Sequence, residues 1–244
     1  MSTAQLIPSS KEFLRSLTPE RLQQLDEETI RRLANYCRQE EYDRIDALCA
    51  REVASFTEGP LFWGSTYTLT ENPHYKQQGL EFKAPFPQKN YFVPLFDEFL
   101  RADRLLVPKS REMMTSWSFM LYAVYRAQWH KADVVIQTGS LGKVQDLVSY
   151  ASQLYRYQHD FLKVRHPLEK ETQTELTWAD GGRVRAIPSG ADQIRLYHPT
   201  IVIFDECAFL EEFAACWNTA HPVAKQMIGV SSAGPGSFAD MCQR

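Results

Sequence analysis

The sequence predicts an α/β fold in which a mainly parallel sheet is flanked by helices. The first indication is the apolar run 201–204 (IVIF), which leads directly into Asp205 and Glu206. A continuous apolar run of this length is typical of a strand buried on both faces, as in a parallel sheet. The second indication is an alternation of short apolar runs with helical segments after residue 90, which is the order of elements in sheets built with crossover connections.

Each predicted element follows from its own pattern. Strands are expected at 105–107, 134–136, 175–178, 183–187, 201–204 and 226–231. Gly181 and Gly182 separate the third and fourth of these strands, which predicts a β-hairpin. Helices are expected at 95–101, 117–129, 145–157 and from Phe209 to about Cys216.

The first 58 residues are expected to form a helical N-terminal appendage, and residues 59–244 are expected to form the main domain. Helix-start signals occur at Ser9 with Glu12 and at Thr18-Pro19-Glu20. Helical apolar stripes follow, the second of which extends to about Phe56. A packing appendage is favoured over a partner-docking module. Residues 59–90 predict a long connection that lies on the main domain, because five aromatic side chains there need burial: Phe62, Trp63, Tyr67, Phe82 and Phe86.

Composition narrows the class of protein. A chain of 244 residues with 44% hydrophobic and 23% charged residues is ordinary for a globular protein. The net charge of −3 gives no overall electrostatic reason to bind nucleic acid. No apolar stretch predicts a membrane span or a signal peptide. The five cysteines form no CxxC pair, so we expect reduced thiols in a cytoplasmic protein and no zinc site.

Asp205 and Glu206 have two interpretations. Open α/β sheets bind ligands at the carboxyl ends of their strands, and there an Asp can hold Mg²⁺ while an adjacent Glu activates water for attack on a phosphate. This is the Walker B arrangement of P-loop ATPases. Alternatively, the two acids only cap the following helix.

The acid pair is expected to have a phosphate-binding loop at the end of a neighbouring strand, just before a helix, and the segment 109–116 (KSREMMTS), which follows the strand at 105–107, is the candidate. It departs from the GxxxxGK[ST] pattern, since it contains no glycine and Thr115 stands where the lysine belongs. Met114 is expected to resist the positive φ that such loops use. Lys109 and Arg111 nevertheless supply cationic donors for phosphates, and Ser116 is placed to bind Mg²⁺ with Asp205. The alternative for Arg111 is a surface pair with Glu112 or another acid.

Taken together, these motifs resemble the ATPase domain of the large terminase subunit of tailed bacteriophages. Lysine-first variants of the Walker A loop occur in that family, and Cys207-Ala208-Phe209 after the acid pair is similar to its Walker B context. The segment 231–236 (SSAGPG) matches its coupling motif in position. The resemblance covers residues 85–240 and implies a P-loop NTPase fold of the ASCE, RecA-like type.

The resemblance also implies a role for each matching residue. ATP and Mg²⁺ are the expected cofactors, with Asp205 and Ser116 on the metal and Glu206 as general base. Nucleotide contacts are expected from the loop residues Lys109, Ser110, Arg111, Thr115 and Ser116, from Gln88 near the base, and from Ser231 and Ser232 at the terminal phosphate. Arg195 matches an arginine finger, although a loop salt bridge is equally compatible with its position. Tyr91 is expected either to stack on the base or, with greater weight, to pack in the core.

The resemblance further implies double-stranded DNA, a homo-oligomeric ring, the portal and the small terminase subunit as partners, in the cytoplasm of a bacterial host. Residues 59–244 leave no room for a nuclease domain, so nuclease activity is not expected of this chain. DNA-contact candidates are Lys143, Arg156, Lys163 and Arg165, which ordinary solvated faces would equally explain. Two other functions stay open: a P-loop fold that has lost catalysis and serves in structure or interaction, and a helicase-like translocase.

Overall fold

The computed structural model describes Thr18, residues 25–71 and residues 82–243. The chain divides into two compact units, Met1–Ala47 and Leu48–Arg244. The predicted helix starts at Ser9 and at Pro19-Glu20 lie outside the described residues. Within the described residues, no helix is both long and apolar enough to span a membrane.

The second unit is built on a seven-stranded sheet. Its spatial order is β3-β9-β8-β4-β7-β6-β5. The first five strands in this order are mutually parallel, whereas β6 and β5 extend the sheet in antiparallel fashion. The strands are β3 (Arg104–Lys109), β4 (Asp133–Thr138), β5 (Leu168–Glu171), β6 (Glu175–Trp178), β7 (Arg183–Pro188), β8 (Ile201–Asp205) and β9 (Gln226–Ser232). A separate two-stranded ribbon consists of β1 (Thr70–Glu71) and β2 (Lys83–Ala84). The predicted mainly parallel α/β fold is confirmed.

Helix α1 (Glu27–Cys49) lies almost entirely in the first unit. Helices of the second unit flank its sheet, and those of the described residues are α2 (Pro60–Thr66), α3 (Phe92–Arg101), α4 (Thr115–His130), α5 (Leu141–Arg156), α6 (Asp160–Arg165), α7 (Ala191–Arg195), α8 (Phe213–Ala220) and α9 (Ser237–Cys242). Side chains of α7, α8 and α9 join one core cluster with the strands, centred on Phe204, Phe213 and Trp217. Helices α4 and α5 pack on the sheet as well and contact each other. Because side chains alternate along a strand, Asp205 lies on the face opposite Phe204.

The predicted hairpin is confirmed as β6 and β7, and its two glycines are needed for different reasons. Gly181 has a φ of 100°, a backbone conformation that side-chain-bearing residues avoid. A Cβ atom on Gly182 would lie 2.0 Å from the carbonyl oxygen of Ala127. The hairpin can therefore pack against the end of α4 only because residue 182 has no side chain.

Residues 50–90 differ from the predictions in three respects. Helix α1 ends at Cys49, not near Phe56, because the carbonyls of Ala50 and Arg51 accept hydrogen bonds from the Tyr125 hydroxyl instead of helical N–H groups. The segment expected to be irregular contains α2, which opens with Pro60. The predicted burial is confirmed for Trp63 and Phe86 but is wrong for Phe82, which is 39% exposed.

The helix expected from Phe209 to Cys216 is displaced along the chain. A 3₁₀ turn occupies Cys207–Phe209, and α8 begins only at Phe213. The Ala208 N–H donates to the Ser231 hydroxyl at 3.0 Å. This bond fastens the turn to the end of β9, so the chain must leave the sheet edge before a helix can start.

Candidate nucleotide-binding site

Strand register brings the lysine loop and the acid pair to the same edge of the sheet. Lys109, the last residue of β3, lies opposite Ser232 of β9. On the other side of β9, Asp205 at the end of β8 lies opposite Val230. All three strands are parallel, so their carboxyl ends form one edge, where open α/β sheets bind ligands. Lys109 and Asp205 are thus separated by the single strand β9, so the expectation that the loop and the acid pair follow neighbouring strands is wrong.

The loop after β3 curls without glycine. Glu112 and Met114 have φ values of 63° and 50°, in the left-handed region, at a typical cost of about 1–2 kcal/mol for each residue. The expectation that Met114 resists positive φ is therefore wrong. The Met114 carbonyl accepts hydrogen bonds from both the backbone N–H and the hydroxyl of Ser118. Strained residues of this kind cluster at functional sites.

Tyr91 steadies the same loop from outside. Its hydroxyl donates to the Met113 carbonyl at 3.4 Å, and its ring centroid lies 4.4 Å from that of Phe92. Gln88, three positions earlier in the chain, is exposed. A structural contact of Tyr91 with the loop is therefore established, while base contacts by Tyr91 and Gln88 stay predictions.

The remaining loop residues differ in accessibility. Ser110 and Arg111 are exposed, Ser116 is half-buried, and Thr115 is 5% exposed. Among the described residues Arg111 makes no ion pair, so the expected alternative of a pair with Glu112 is not seen. Helix α4 begins at Thr115, and its first backbone N–H groups therefore face the loop, an arrangement that suits anions.

Asp205 is the most desolvated acid at this edge, with 7% of its surface exposed. Burial and the neighbouring Glu206 carboxylate raise the pKa of Asp205 to about 6, and Lys109 and Lys143 oppose that rise. The Tyr150 ring of α5 stacks on Trp117 of α4 at 4.4 Å. Burial raises the pKa of Tyr150, and the charges of Asp146 and Asp205 add to the rise. The charge of Asp205 therefore acts on the Tyr150 hydroxyl.

This donor set fits Mg²⁺. The cation commonly takes one or two protein oxygens, with water and substrate phosphates as its other ligands. Asp205 supplies a buried carboxylate whose ionised form a divalent cation would favour, and Ser116 supplies a half-buried hydroxyl across the edge. The described residues contain no group of three or more His, Cys, Asp or Glu side chains able to hold a metal, which such a phosphate-assisted site does not need.

Glu206 contacts Lys143, a residue that the sequence predicted only as a candidate DNA contact. Its backbone is left-handed, with a φ of 57°, and its carboxylate forms an ion pair with the Lys143 ammonium. The two side chains are 37% and 48% exposed, so the pair contributes about 0–1 kcal/mol to stability. Lys143 follows β4, the strand next to β8. Its position after a strand in the parallel sheet was the signal that could have placed it at the site.

The other proposed DNA-contact residues lie away from Lys143. Arg156 ends α5, whose first turn contains Lys143, so the two Cα atoms are about 20 Å apart along the helix. Arg156 pairs with Glu171 at 2.8 Å, and Lys163 pairs with Asp160 at 2.8 Å. The structure thus does not gather these side chains with Lys143 into one basic patch, and their contact with DNA stays a prediction.

The proposed coupling serines have different surroundings. Ser231 is fully buried, and its hydroxyl donates to the Ser232 carbonyl at 2.9 Å while accepting from the Ala208 N–H. Ser232 is half-buried. The Ser231 hydroxyl is therefore engaged in joining β9 to the turn after Glu206, and Ser232 is the more accessible of the two for a phosphate.

Arg195 ends α7 and is solvent-accessible. Its guanidinium lies 3.3 Å from the Asp192 carboxylate, and its side chain is 68% exposed. An exposed pair of this kind is weak, so the arginine remains available to another molecule. Its role as an arginine finger stays a prediction.

Comparison with known proteins finds likeness in structure alone. No protein-family model matches the chain, and no curated protein matches it in sequence. The large terminase of bacteriophage HK97 matches with a TM-score of 0.54 and 10% sequence identity, over 75% of this chain and 39% of that protein. The chain shares the fold of a phage large terminase. The likeness is one of fold, and the predicted P-loop NTPase superfamily stays a prediction.

Two further structures resemble the chain more loosely. The ATPase domain of the large terminase from Thermus phage P74-26 matches with a TM-score of 0.44, and a point mutant of that domain matches with 0.47. Each is 13% identical and covers 70% of this chain and 74% of that domain. The matched part of this chain corresponds to 39% of the length of the HK97 terminase.

Proposed function

We propose that this chain is an ATP-hydrolysing motor domain of a viral DNA-packaging terminase. The observation that carries the proposal is the placement of Lys109 and of the Asp205-Glu206 pair at the carboxyl ends of strands that flank β9. The curled loop between β3 and α4 supports it, because backbone N–H groups of such a loop can face a phosphate.

In this proposal, each residue acts where the fold holds it. Lys109 neutralises charge on the β- and γ-phosphates, and Arg111 adds a forked donor from the exposed side of the loop. Asp205 and Ser116 hold Mg²⁺, which supplies charge neutralisation on the phosphate oxygens. Glu206 accepts the proton of the attacking water. Asp205 is 7% exposed, and this low exposure to water strengthens the electrostatic interactions there.

Ser231 is the proposed connection between ATP hydrolysis and movement of the chain. Its hydroxyl connects the turn that follows Glu206 to the end of β9, so a shift of either element on hydrolysis is passed to the other. Double-stranded DNA is the proposed substrate of that movement. A homo-oligomeric ring, the portal and the small terminase subunit are its proposed partners.

The test is Mg²⁺-dependent ATP hydrolysis by the purified chain. We expect Glu206→Gln to lower turnover by about 10²–10⁴-fold, the usual contribution of a general base. Lys109→Ala should lower it comparably, because the phosphate charge is then uncompensated. Matched controls are Glu98→Gln on the exposed side of α3 and Lys225→Ala at the opposite end of the sheet, which should leave turnover unchanged. Equal turnover in all four variants would refute the site.

Nucleotide binding separates this function from the alternative of a non-catalytic fold. Calorimetry with Mg²⁺ and a non-hydrolysable ATP analogue should show saturable binding that Lys109→Ala abolishes. Absence of binding by the unaltered chain would favour a structural or interaction role instead.

A further inference from the structure

The ion pair between Lys143 and Glu206 joins two elements that meet at the candidate site. Lys143 lies in the first turn of α5, whose N-cap Ser140 accepts a hydrogen bond from the Lys143 backbone N–H at 3.4 Å. Glu206 lies just after β8. The pair therefore places a second lysine beside the acids, from the strand on the side of β8 opposite β9 and β3.

The charges at this edge nearly balance without a ligand. Asp205 and Glu206 face Lys109 from β3 and Lys143 from α5, and both lysines act electrostatically on Asp205. Thr138, the last residue of β4, adds a buried hydroxyl without a hydrogen-bond partner among the described residues. A polyphosphate entering here would compete with the two carboxylates for the lysines.

Lys143 is suited to changing partners. An ammonium is a compact charge on a flexible stem with three donors, so it can leave one anion for another without backbone movement. Its pair with Glu206 is half-exposed and hence weak. A terminal phosphate with several negative oxygens is the stronger competitor for that charge.

We propose that Lys143 is a positioning residue that pairs with Glu206 in the nucleotide-free site and moves to the terminal phosphate when a nucleoside triphosphate binds. Glu206 is thereby held by a lysine until a triphosphate arrives, and only then has its carboxylate free to accept a proton from water. A diphosphate lacks the terminal group and leaves the pair intact. The inference rests on the proposed function of this edge as a nucleotide site.

Binding measurements test the exchange without requiring turnover. The affinities of the whole chain for Mg²⁺ with AMP-PNP and for Mg²⁺ with ADP are measured by calorimetry in four proteins: the unaltered chain, Lys143→Met, Glu206→Gln and the double variant. Lys143→Met should lower AMP-PNP affinity by about fivefold, the size expected of one exposed charge pair, and leave ADP affinity unchanged. Lys143→Arg should restore most of the AMP-PNP affinity because it keeps the charge.

Glu206→Gln provides the decisive comparison. In the unaltered background it should raise AMP-PNP affinity, because Lys143 no longer leaves a carboxylate in order to reach the phosphate. Part of this rise comes simply from removing a negative charge near the phosphate. The part that depends on Lys143 should vanish in the double variant, which a double-mutant cycle isolates.

Each result either supports or overturns the proposed exchange of partners by Lys143. Non-additive effects confined to AMP-PNP support the exchange. Equal effects of Glu206→Gln with and without Lys143, or equal losses for AMP-PNP and ADP, overturn it while leaving the nucleotide site standing. Failure of the unaltered chain to bind either nucleotide overturns the proposed function and the exchange together. Lys225→Met, at the exposed lysine just before β9 and at the opposite end of the sheet, serves as the matched control and should change neither affinity.

Discussion

His130 shows how one buried residue makes stability depend on pH. Its side chain is 22% exposed, and its Nε2 lies 2.9 Å from the Tyr125 hydroxyl. Burial, aided by the Arg126 charge and opposed by Glu52, lowers the pKa of His130 below its usual value. The folded chain therefore favours the neutral ring, while the unfolded chain takes up a proton near pH 6.5.

We expect this histidine to destabilise the fold in acid. As the pH falls below about 6.5, the unfolded state binds more protons than the folded state, so the free energy of unfolding decreases by at most ~1.4 kcal/mol per pH unit for this group. His130→Gln should lose less stability than the unaltered chain between pH 7.5 and pH 5.5, as measured by urea denaturation. The exposed His198→Gln serves as control, and parallel pH curves for the unaltered chain and His130→Gln would contradict the expectation.

At the level of single residues, the sequence placed the acid pair and Lys109 correctly at one edge, because strand ends in a parallel sheet converge. It did not predict that Lys143 lies beside the acids, since a lysine in a first helical turn has no local signature that separates a solvated residue from one near a site. The ion pair depends on β4 lying beside β8, and that neighbourhood is a property of strand order. The sequence did not predict the hydrogen bond between the Ala208 N–H and the Ser231 hydroxyl for the same reason.

The loop between β3 and α4 is the element whose conformation departs furthest from its sequence. Left-handed residues are expected at glycine, yet here they are Glu112 and Met114. Glu112 is exposed, so its side chain can be removed without opening a cavity, and the strain of its backbone can be measured directly.

We expect Glu112→Gly to be more stable than Glu112→Ala by about 1 kcal/mol, because only glycine adopts positive φ without a steric cost. At Glu98, an exposed position within α3, the stability order of the two variants should be the opposite. Glu98→Gly should be less stable than Glu98→Ala, because glycine weakens a helix by about 1 kcal/mol relative to alanine. Chemical denaturation of the four variants gives both differences. The same order at both positions would mean that Glu112 is not strained in solution.

Most strands and the longer helices were predictable, and the shortest helices were not. The buried strands β4, β8 and β9 and the helices α4 and α5 fall within a few residues of their predicted bounds. Helices α2, α6 and α7 went unpredicted because five to seven residues carry too little periodicity. The delayed start of α8 follows from the hydrogen bond between Ala208 in the turn after β8 and Ser231 on β9. This bond joins residues far apart in the chain and leaves no local signal.

At the scale of the whole molecule, the exposed Arg195 leads to a prediction about assembly. If it acts on the nucleotide of a neighbouring copy, turnover per chain should rise with protein concentration, and Arg195→Ala should lose at least tenfold of the activity reached at high concentration, since arginine fingers contribute about 10³–10⁵-fold. ATPase assays across a dilution series measure both effects.

Mixing variants distinguishes action between copies from action within one. Glu206→Gln chains keep Arg195 but lack the base, so adding them to Arg195→Ala chains should restore part of the activity. Absence of any recovery in the mixture would place the action of Arg195 within its own chain or exclude it from catalysis.

The position of β9 between β3 and β8 has a mechanical consequence. Neighbouring strands lie about 4.8 Å apart, so the cationic loop and the acids are held at a spacing of roughly 10 Å by two ladders of backbone hydrogen bonds. At Gly229 in β9, an added Cβ would lie 2.8 Å from the Leu106 side chain of β3 and 3.1 Å from the Cys207 sulfur in the turn after β8, so side chains from both sides pack closely over β9. The width of the cleft is therefore a rigid dimension of the sheet, and any opening or closing of the site must come from the loops above it.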